Sequence, residues 1–143
     1  MDRTYGRQTI PEKSFAGPKE DKYWGWIQTI EANENFTLKR VFMREGTQSS
    51  MEYHVRKNET YFIEKGELKL GLRIGRAKNI SVILSEGNKY NIPPGLMHMR
   101  IALKDTLIIE WSNKDDDEDS NIVEDGKIYK FEETWNEALC GYR

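Results

Sequence analysis

The two histidines of this chain are the residues whose types and spacing best suggest chemistry. His54 stands in the pattern G-x5-E-x-H-x4-E-x6-G, which begins at Gly46 and places carboxylates at Glu52 and Glu59. His98 closes the pattern G-x5-P-x-G-x2-H. Imidazole is a borderline metal ligand and carboxylate a hard one, so this set suits one divalent ion: Zn, Fe(II), Mn(II) or Ni(II). The residues alone do not choose among these metals.

Strand geometry can bring these groups to one place. Side chains two positions apart on a strand point to the same face. The expected same-face sets are Glu52, His54 and Arg56; Glu59, Tyr61 and Ile63; and His98 with Arg100. Burying His54, Glu59 and His98 without partners would cost on the order of 1–3 kcal/mol per unsatisfied group. A metal site is therefore favoured over two isolated structural histidines.

The elements that must position these residues are short strands. From Tyr23 onward, segments rich in aromatic and β-branched residues alternate with glycine and proline turns, which is typical of an all-β protein. We predict a single domain of two packed sheets, a sandwich or jelly-roll barrel. The nine predicted strands are Tyr23–Ile30, Phe36–Arg44, Ser50–Arg56, Thr60–Glu64, Glu67–Ile74, Asn79–Leu84, Asn88–Ile92, His98–Ala102 and Thr106–Ser112.

The two ends of the chain differ from this middle part. Residues 1–21 are predicted to form an N-terminal arm, residues 22–129 the barrel, and residues 130–143 a short C-terminal helix or tail. In that tail Phe131, Trp135 and Leu139 follow each other at helical spacing and would form one apolar face. The acidic run at residues 115–119 is predicted to be a solvated loop.

Composition narrows the classes of function. The chain has 22 Lys and Arg against 24 Asp and Glu, a net charge of -2, so no positive field attracts nucleic acid or anionic lipid. No apolar run approaches the roughly 20 residues needed to span a bilayer. The single Cys140 excludes an internal disulfide framework. We therefore expect a soluble, cytoplasmic protein whose partner is a small molecule.

The histidine spacings resemble the two cupin motifs, G-x5-H-x-H-x4-E-x6-G and G-x5-P-x-G-x2-H-x3-N. Glu52 replaces the first histidine of the family pattern, and Ala102 replaces its final asparagine. The resemblance implies a cupin jelly-roll barrel in which His54, Glu59 and His98, with Glu52 as a fourth candidate, bind the metal ion. Glu52 is equally open to a proton-transfer role, or to marking a cupin that has lost its metal.

Within the cupins, the chain resembles the type II mannose-6-phosphate isomerase domain, which also occurs fused to mannose-1-phosphate guanylyltransferase. The resemblance covers about residues 22–129. The matching segments are Trp24-Gly25-Trp26, Lys39-Arg40-Val41, the run from Ser50 to Tyr61, the run from Ile92 to His98, Leu107-Ile108-Ile109-Glu110, and the acidic run from Glu118 to Gly126.

This resemblance implies a metal-dependent aldose-ketose isomerase acting on a sugar or sugar phosphate through an enediol. Glu52, or Lys39 in its neutral form, would move the proton as general base. Phosphate would be held by cations. The candidate substrate-binding residues are the inward-facing Arg56 and Arg100, Lys57 at the rim, and Tyr61 in the cavity.

Two other functions remain open for this sequence. One is a mononuclear iron dioxygenase, and the other is a non-catalytic cupin that binds a carbohydrate or nucleotide sugar. A fold shared by many chemistries does not decide among the three. The exposed edges of a small jelly roll, together with the habit of the family, also lead us to expect a homodimer.

Overall fold

The computed structural model describes residues 8–76 and 78–133. This part of the chain forms eleven strands and one short 3-10 helix at Asp117–Asp119. The strands are β1 (Lys19–Lys22), β2 (Gly25–Ala32), β3 (Thr37–Met43), β4 (Met51–Tyr53), β5 (Glu59–Lys65), β6 (Glu67–Ile74), β7 (Lys78–Ser85), β8 (Lys89–Ile92), β9 (Met97–Ala102), β10 (Thr106–Ser112) and β11 (Asn121–Glu124).

The strands form two antiparallel sheets. One sheet has the order β1-β2-β3-β10-β5-β8, and the other has the order β11-β4-β9-β6-β7. Neighbours in both sheets are mostly distant in sequence, so that β10 lies between β3 and β5, and β9 lies between β4 and β6. The all-β jelly-roll prediction is confirmed by this topology.

Side-chain alternation explains which faces meet. Along β5, Tyr61 and Ile63 are buried while Phe62 between them is only half buried. Along β10, Ile108 and Glu110 point the same way into the interior. The buried apolar side chains of both sheets pack together in one cluster, which excludes water between the layers. Its members are Trp24, Val41, Met43, Tyr61, Ile63, Leu68, Leu70, Leu72, Leu84, Ile92, Ala102 and Ile108.

Gly66 permits the tight hairpin between β5 and β6. Its φ is +95°, a left-handed conformation that side chains rarely adopt, and a Cβ atom there would lie 2.3 Å from the carbonyl oxygen of Asp105. Glycine is therefore required both by backbone conformation and by space.

Each of the nine predicted strands has a counterpart in the structure. The counterpart of Ser50–Arg56 is shorter, because β4 ends at Tyr53 and the chain then turns towards β5. Two strands were not predicted: β1 lies at the end of the proposed arm, and β11 follows the acidic run. Both are four residues long and at least half polar, so hydrophobic periodicity does not identify them.

The acidic run is not a fully solvated loop, so that prediction is wrong. It contains the 3-10 helix, and Asp119 is only 3 % exposed. Of the predicted C-terminal helix, residues 131–133 adopt no regular structure, and Trp135 and Leu139 lie outside the described residues. Among the described residues, no helix has the length and apolar character needed to cross a membrane.

Candidate metal centre

Strands β4, β9 and β5, drawn from both sheets, bring the metal-ligand candidates together. Glu52 on β4 is the direct cross-strand partner of His98 on β9. Glu59 is the first residue of β5, in the facing sheet. His54 lies one residue beyond the end of β4, and the short turn after it leads to Glu59. Residues from both sheets therefore meet between the layers.

The distances within this cluster are those of groups that could share one ion. Ligand atoms of Glu52, His54 and His98 all lie within 4.8 Å of one another. The Oε2 atom of Glu59 lies 2.8 Å from Nε2 of His54 and 3.5 Å from Nε2 of His98. Oε1 of Glu52 lies 3.6 Å from Nε2 of His54. Glu52, His54 and His98 thus form a potential metal-binding triad, with Glu59 beside it.

Backbone carbonyl groups orient both imidazole rings. Nδ1 of His54 lies 3.0 Å from the carbonyl oxygen of Asp119, and Nδ1 of His98 lies 2.9 Å from that of Leu96. A carbonyl oxygen can only accept a hydrogen bond, so each Nδ1 carries the proton. In the neutral ring each Nε2 then presents a lone pair to the cluster, the arrangement typical of metal-binding histidines.

Three buried atoms of the cluster have no hydrogen-bond partner of good geometry in the described chain: Nε2 of His54, Nε2 of His98 and Oε2 of Glu59. One proton on His54 could bridge to Glu59 at 2.8 Å, but it would leave Nε2 of His98 unsatisfied. A single cation among the three atoms would satisfy all of them. Two imidazoles and one or two carboxylates therefore fit a divalent metal ion.

Charges within the cluster shift its pKa values in opposite directions. Burial opposes ionisation of Glu59, yet the contact with His54 and the nearby His98 and Lys57 outweigh it and lower the pKa of Glu59. Burial also acts to lower the pKa of His54, but Glu59 reverses this and raises it. For His98, burial prevails and the pKa is lowered. The lowered pKa of Glu59 favours its ionised form, and the lowered pKa of His98 favours the neutral imidazole, the forms in which these groups can bind a metal.

A cavity of about 250 Å³ opens beside the cluster. Its wall includes Glu52 and Glu59 from the cluster, together with Tyr61, Arg100 and Glu110. The two carboxylates would therefore be within reach of a small molecule in the cavity.

Arg100 is the most distinctive polar residue of the cavity wall. Its guanidinium carbon lies 4.9 Å from the ring centre of Trp24 and 5.8 Å from that of Tyr61. Its Nη1 atom lies 3.8 Å from Oε1 of Glu110, too far for a hydrogen bond. Arg100 is only 9 % exposed, yet its side chain donates no hydrogen bond to any of the described residues. Stacking on two rings fixes the guanidinium while leaving its N–H groups available.

Two of the three lysines in the cavity wall, Lys39 and Lys57, lie beside the same aspartate. Nζ of Lys39 lies 2.6 Å from Oδ2 of Asp115, and Nζ of Lys57 lies 3.2 Å from Oδ1 of the same residue. The expected rim position of Lys57 is wrong, because the residue is buried and its ammonium group also lies 3.9 Å from Glu59. Each ion pair weakens the electrostatic attraction between its lysine and a bound anion.

The expected inward orientation of Arg56 is also wrong. Its side chain is 61 % exposed and pairs with Asp116, and it is not part of the cavity wall. Arg56 would share a face with Glu52 and His54 only if β4 continued to Arg56, but the strand ends at Tyr53. Beyond the end of a strand the two-residue alternation no longer applies.

Two residues near the centre, Glu110 and Asp119, were not predicted from the sequence as candidate site residues. Glu110 is buried in the cavity wall, where burial and the charge of Glu59 raise its pKa. Its position two residues after Ile108 on a strand was the signal that could have identified it. Asp119 contacts the backbone beside His54, and nothing local in the acidic run distinguishes it from its neighbours.

The fold is shared with solved structures of low sequence identity. KdgF from Halomonas sp. is 18 % identical with a TM-score of 0.64, and the match covers 75 % of this chain and 98 % of KdgF. The capsular polysaccharide assembling protein CapF from Staphylococcus aureus is 19 % identical with a TM-score of 0.69, covering 78 % of this chain and 32 % of CapF. Oxalate decarboxylase from Bacillus subtilis is 14 % identical with a TM-score of 0.68, covering 82 % of this chain and 33 % of the decarboxylase.

These neighbours are cupin jelly-roll proteins, so the chain has the cupin fold. It spans about a third of the length of CapF and of oxalate decarboxylase. No protein-family model and no curated protein matches the sequence.

Proposed function

We propose that this protein is a metal-dependent isomerase that interconverts the aldose and ketose forms of a small sugar or sugar phosphate, as in the mannose-6-phosphate isomerases that its motifs resemble. The observation that carries this proposal is the convergence of three buried, unpartnered ligand atoms beside a polar cavity: Nε2 of His54, Nε2 of His98 and Oε2 of Glu59.

His54, His98 and Glu59 would hold one divalent ion, with Glu52 as a fourth ligand or as a free carboxylate beside it. Such an ion supplies Lewis-acid polarisation of a substrate carbonyl group. The protein's own contribution is to keep Glu59 ionised and both imidazoles oriented with Nε2 towards the same point.

Glu52 is the better candidate for the proton transfer. It lines the cavity, and its side chain is 28 % exposed, so a substrate can reach its carboxylate. As base it would take the proton from C2 of the aldose and return it to C1 of the enediol, while the hydroxyl proton of O2 passes to O1, so that C1 becomes the alcohol and C2 the carbonyl group. The change is an internal redox exchange that needs no other reactant. Lys39 is less suited, because its Nζ atom is engaged by Oδ2 of Asp115 at 2.6 Å.

The volume of the cavity and the cations in its wall indicate the class of substrate that it could hold. A volume of about 250 Å³ is below that of pockets for drug-sized ligands and suits a molecule the size of one sugar. Arg100 offers a fixed guanidinium with free N–H groups, which suits an anionic substituent such as phosphate. Lys39 and Lys57 lie 2.6 Å and 3.2 Å from Asp115, closer than the 3.8 Å between Arg100 and Glu110, so Arg100 is the more available anchor of these three cations. The capsular polysaccharide assembling role of CapF is consistent with a carbohydrate ligand for this fold.

Two measurements on the purified protein test the proposal. The first is the metal content after purification without added metal. The second is the incorporation of deuterium from D2O at C1 and C2 of aldoses and their 6-phosphates, with the His98→Ala variant as control. We expect about one metal ion per chain and an exchange that the variant lacks.

Other outcomes would point to the alternative functions. Bound iron with substrate-dependent uptake of O2 would replace the isomerase with a dioxygenase. Neither metal nor exchange, combined with sugar binding, would leave a non-catalytic binding protein. Equal exchange in the parent protein and in His98→Ala would exclude the proposed centre as the source of activity.

A further inference from the structure

Asp119 lies at the end of the 3-10 helix and is buried against the turn that joins β4 to β5. Its carboxylate accepts three hydrogen bonds from consecutive backbone amides of that turn. Oδ1 accepts from Val55 at 2.7 Å, and Oδ2 accepts from Arg56 at 2.9 Å and from Lys57 at 2.8 Å. One side chain therefore holds the backbone between two metal-ligand candidates, His54 and Glu59.

The backbone of Asp119 acts on His54 directly. Its carbonyl oxygen accepts the hydrogen bond from Nδ1 of His54 at 3.0 Å, which leaves Nε2 facing Glu59. Asn121 strengthens this connection, because its side-chain amide donates to the same carbonyl and to that of Tyr53, both at 3.3 Å. Asn121 and His54 thus both link the end of β4 to the end of the 3-10 helix.

His54 needs such external support because it lies outside the strand ladder. β4 ends at Tyr53, and β5 begins only at Glu59. Across the intervening residues 54–58, the sheet supplies no regular hydrogen bonds to set the direction of the side chains. The carboxylate of Asp119 fills that role by accepting from three amides of the turn, of which that of Lys57 is buried.

The neighbours of Asp119 in the acidic run do not share this role. Asp116, Asp117 and Glu118 are exposed. Asp116 pairs with Arg56 and accepts from the amide of Glu118. Asp119 is the member of the run whose carboxylate accepts hydrogen bonds from the turn beside His54.

We infer that Asp119 is a positioning residue for the metal centre, which holds the turn at residues 55–57 and thereby fixes the His54 ring with Nε2 directed at the ion. The inference rests on the metal site of the proposed function. It assigns to one member of the acidic run, Asp119, a structural role in supporting the centre.

The matched variants are Asp119→Asn, which keeps the shape but removes the charge, and Asp119→Ala, which removes the acceptors. Glu118→Gln, which loses one charge from the same run, is the control. The metal-free proteins would be compared at about pH 9 by 15N NMR of the histidine rings, where neutral imidazoles reveal their tautomer. Amide hydrogen exchange at Val55, Arg56 and Lys57 would be measured in parallel.

In the parent protein and in Glu118→Gln we expect His54 protonated at Nδ1, with slow exchange of the three amides. In Asp119→Asn and Asp119→Ala we expect mixed tautomers and exchange faster by at least about tenfold. A Co(II) titration should show affinity for the metal weakened by about 10–100-fold in both variants, the usual effect of losing a supporting contact to a ligand. Glu118→Gln should match the parent.

The inference is overturned if Asp119→Asn keeps the parent tautomer and binds Co(II) within about twofold of the parent. It is also overturned if His54 of the parent protein is protonated at Nε2, a measurement that needs no variant and remains available if the variants do not fold. Absence of Co(II) binding in the parent would instead defeat the proposed metal function. The tautomer and the amide exchange would still decide the positioning role of Asp119.

Discussion

Glu52 and His98 face each other directly across the antiparallel pair of β4 and β9. Cross-strand partners project to the same side of a sheet, so the carboxylate and the imidazole enter the interior together. Glu52 occupies the position where the cupin pattern has a histidine, and its carboxylate can bind a metal or move a proton. Which of these two roles Glu52 has can be decided by experiment.

Replacing Glu52 with Gln should separate the roles of base and ligand. If Glu52 moves the proton, Glu52→Gln retains the metal and lowers the rate of deuterium exchange into the sugar by about 10²–10⁴-fold. Metal analysis and exchange rate are measured on the same sample. Loss of the metal from Glu52→Gln would show that the carboxylate is a ligand instead.

His54→Ala and His98→Ala should each abolish metal retention while leaving a folded barrel. Each variant removes one of the two Nε2 atoms that face Glu59, and the remaining donors are too few to hold the ion tightly. Elemental analysis gives the stoichiometry, and circular dichroism checks the fold. Unchanged metal content in both variants would contradict the site.

Arg100 should control the binding of an anionic substrate. Arg100→Ala is expected to weaken binding of a sugar phosphate by about 10–100-fold, the value of a charge-assisted hydrogen bond, and that of the unphosphorylated sugar much less. Isothermal calorimetry with both sugars measures the difference. Arg56→Ala is the matched control, because Arg56 is exposed and paired with Asp116. Equal weakening for the two sugars, or a larger effect in Arg56→Ala, would refute the role of Arg100.

Asp119 should contribute to stability in a pH-dependent way. Burial acts to raise its pKa, but the amide donors of Arg56, Val55 and Lys57 outweigh it and lower the pKa. A carboxyl group with a lowered pKa stabilises the fold above its unfolded pKa of about 3.9, and that contribution is lost as the pH falls through the folded value.

The parent protein should therefore exceed Asp119→Asn in free energy of unfolding by about 2 kcal/mol at pH 7. The difference should shrink as the pH falls from about 4 towards 2. Urea unfolding of both proteins across this range tests the prediction. A difference that stays constant down to pH 2 would mean that ionised Asp119 is not the cause.

Much of the fold could be predicted from local patterns. The alternation of Tyr61 and Ile63 with Phe62 identifies a strand with one buried face, and each of the nine strands predicted in this way has a counterpart. The prediction that His54 and His98 lie close together required the motif spacing as well, because no local pattern indicates which strands become neighbours. Burial of His98 and of Glu59 follows from the same alternation, whereas His54 lies one residue beyond the end of β4.

The turn after β4 could not be predicted in this way. The sequence continues the strand pattern through Arg56, yet the chain leaves the sheet after Tyr53, and Arg56 turns outwards to Asp116. Asp119 looks like any acidic residue in a charged run, but it contacts the turn from more than sixty residues away in the chain. By itself the sequence determined nine of the eleven strands of the described residues and the residues able to bind a metal, since side-chain periodicity is a local property. Only the tertiary structure decided which polar groups support the centre, because those contacts join segments that meet only when the two sheets close.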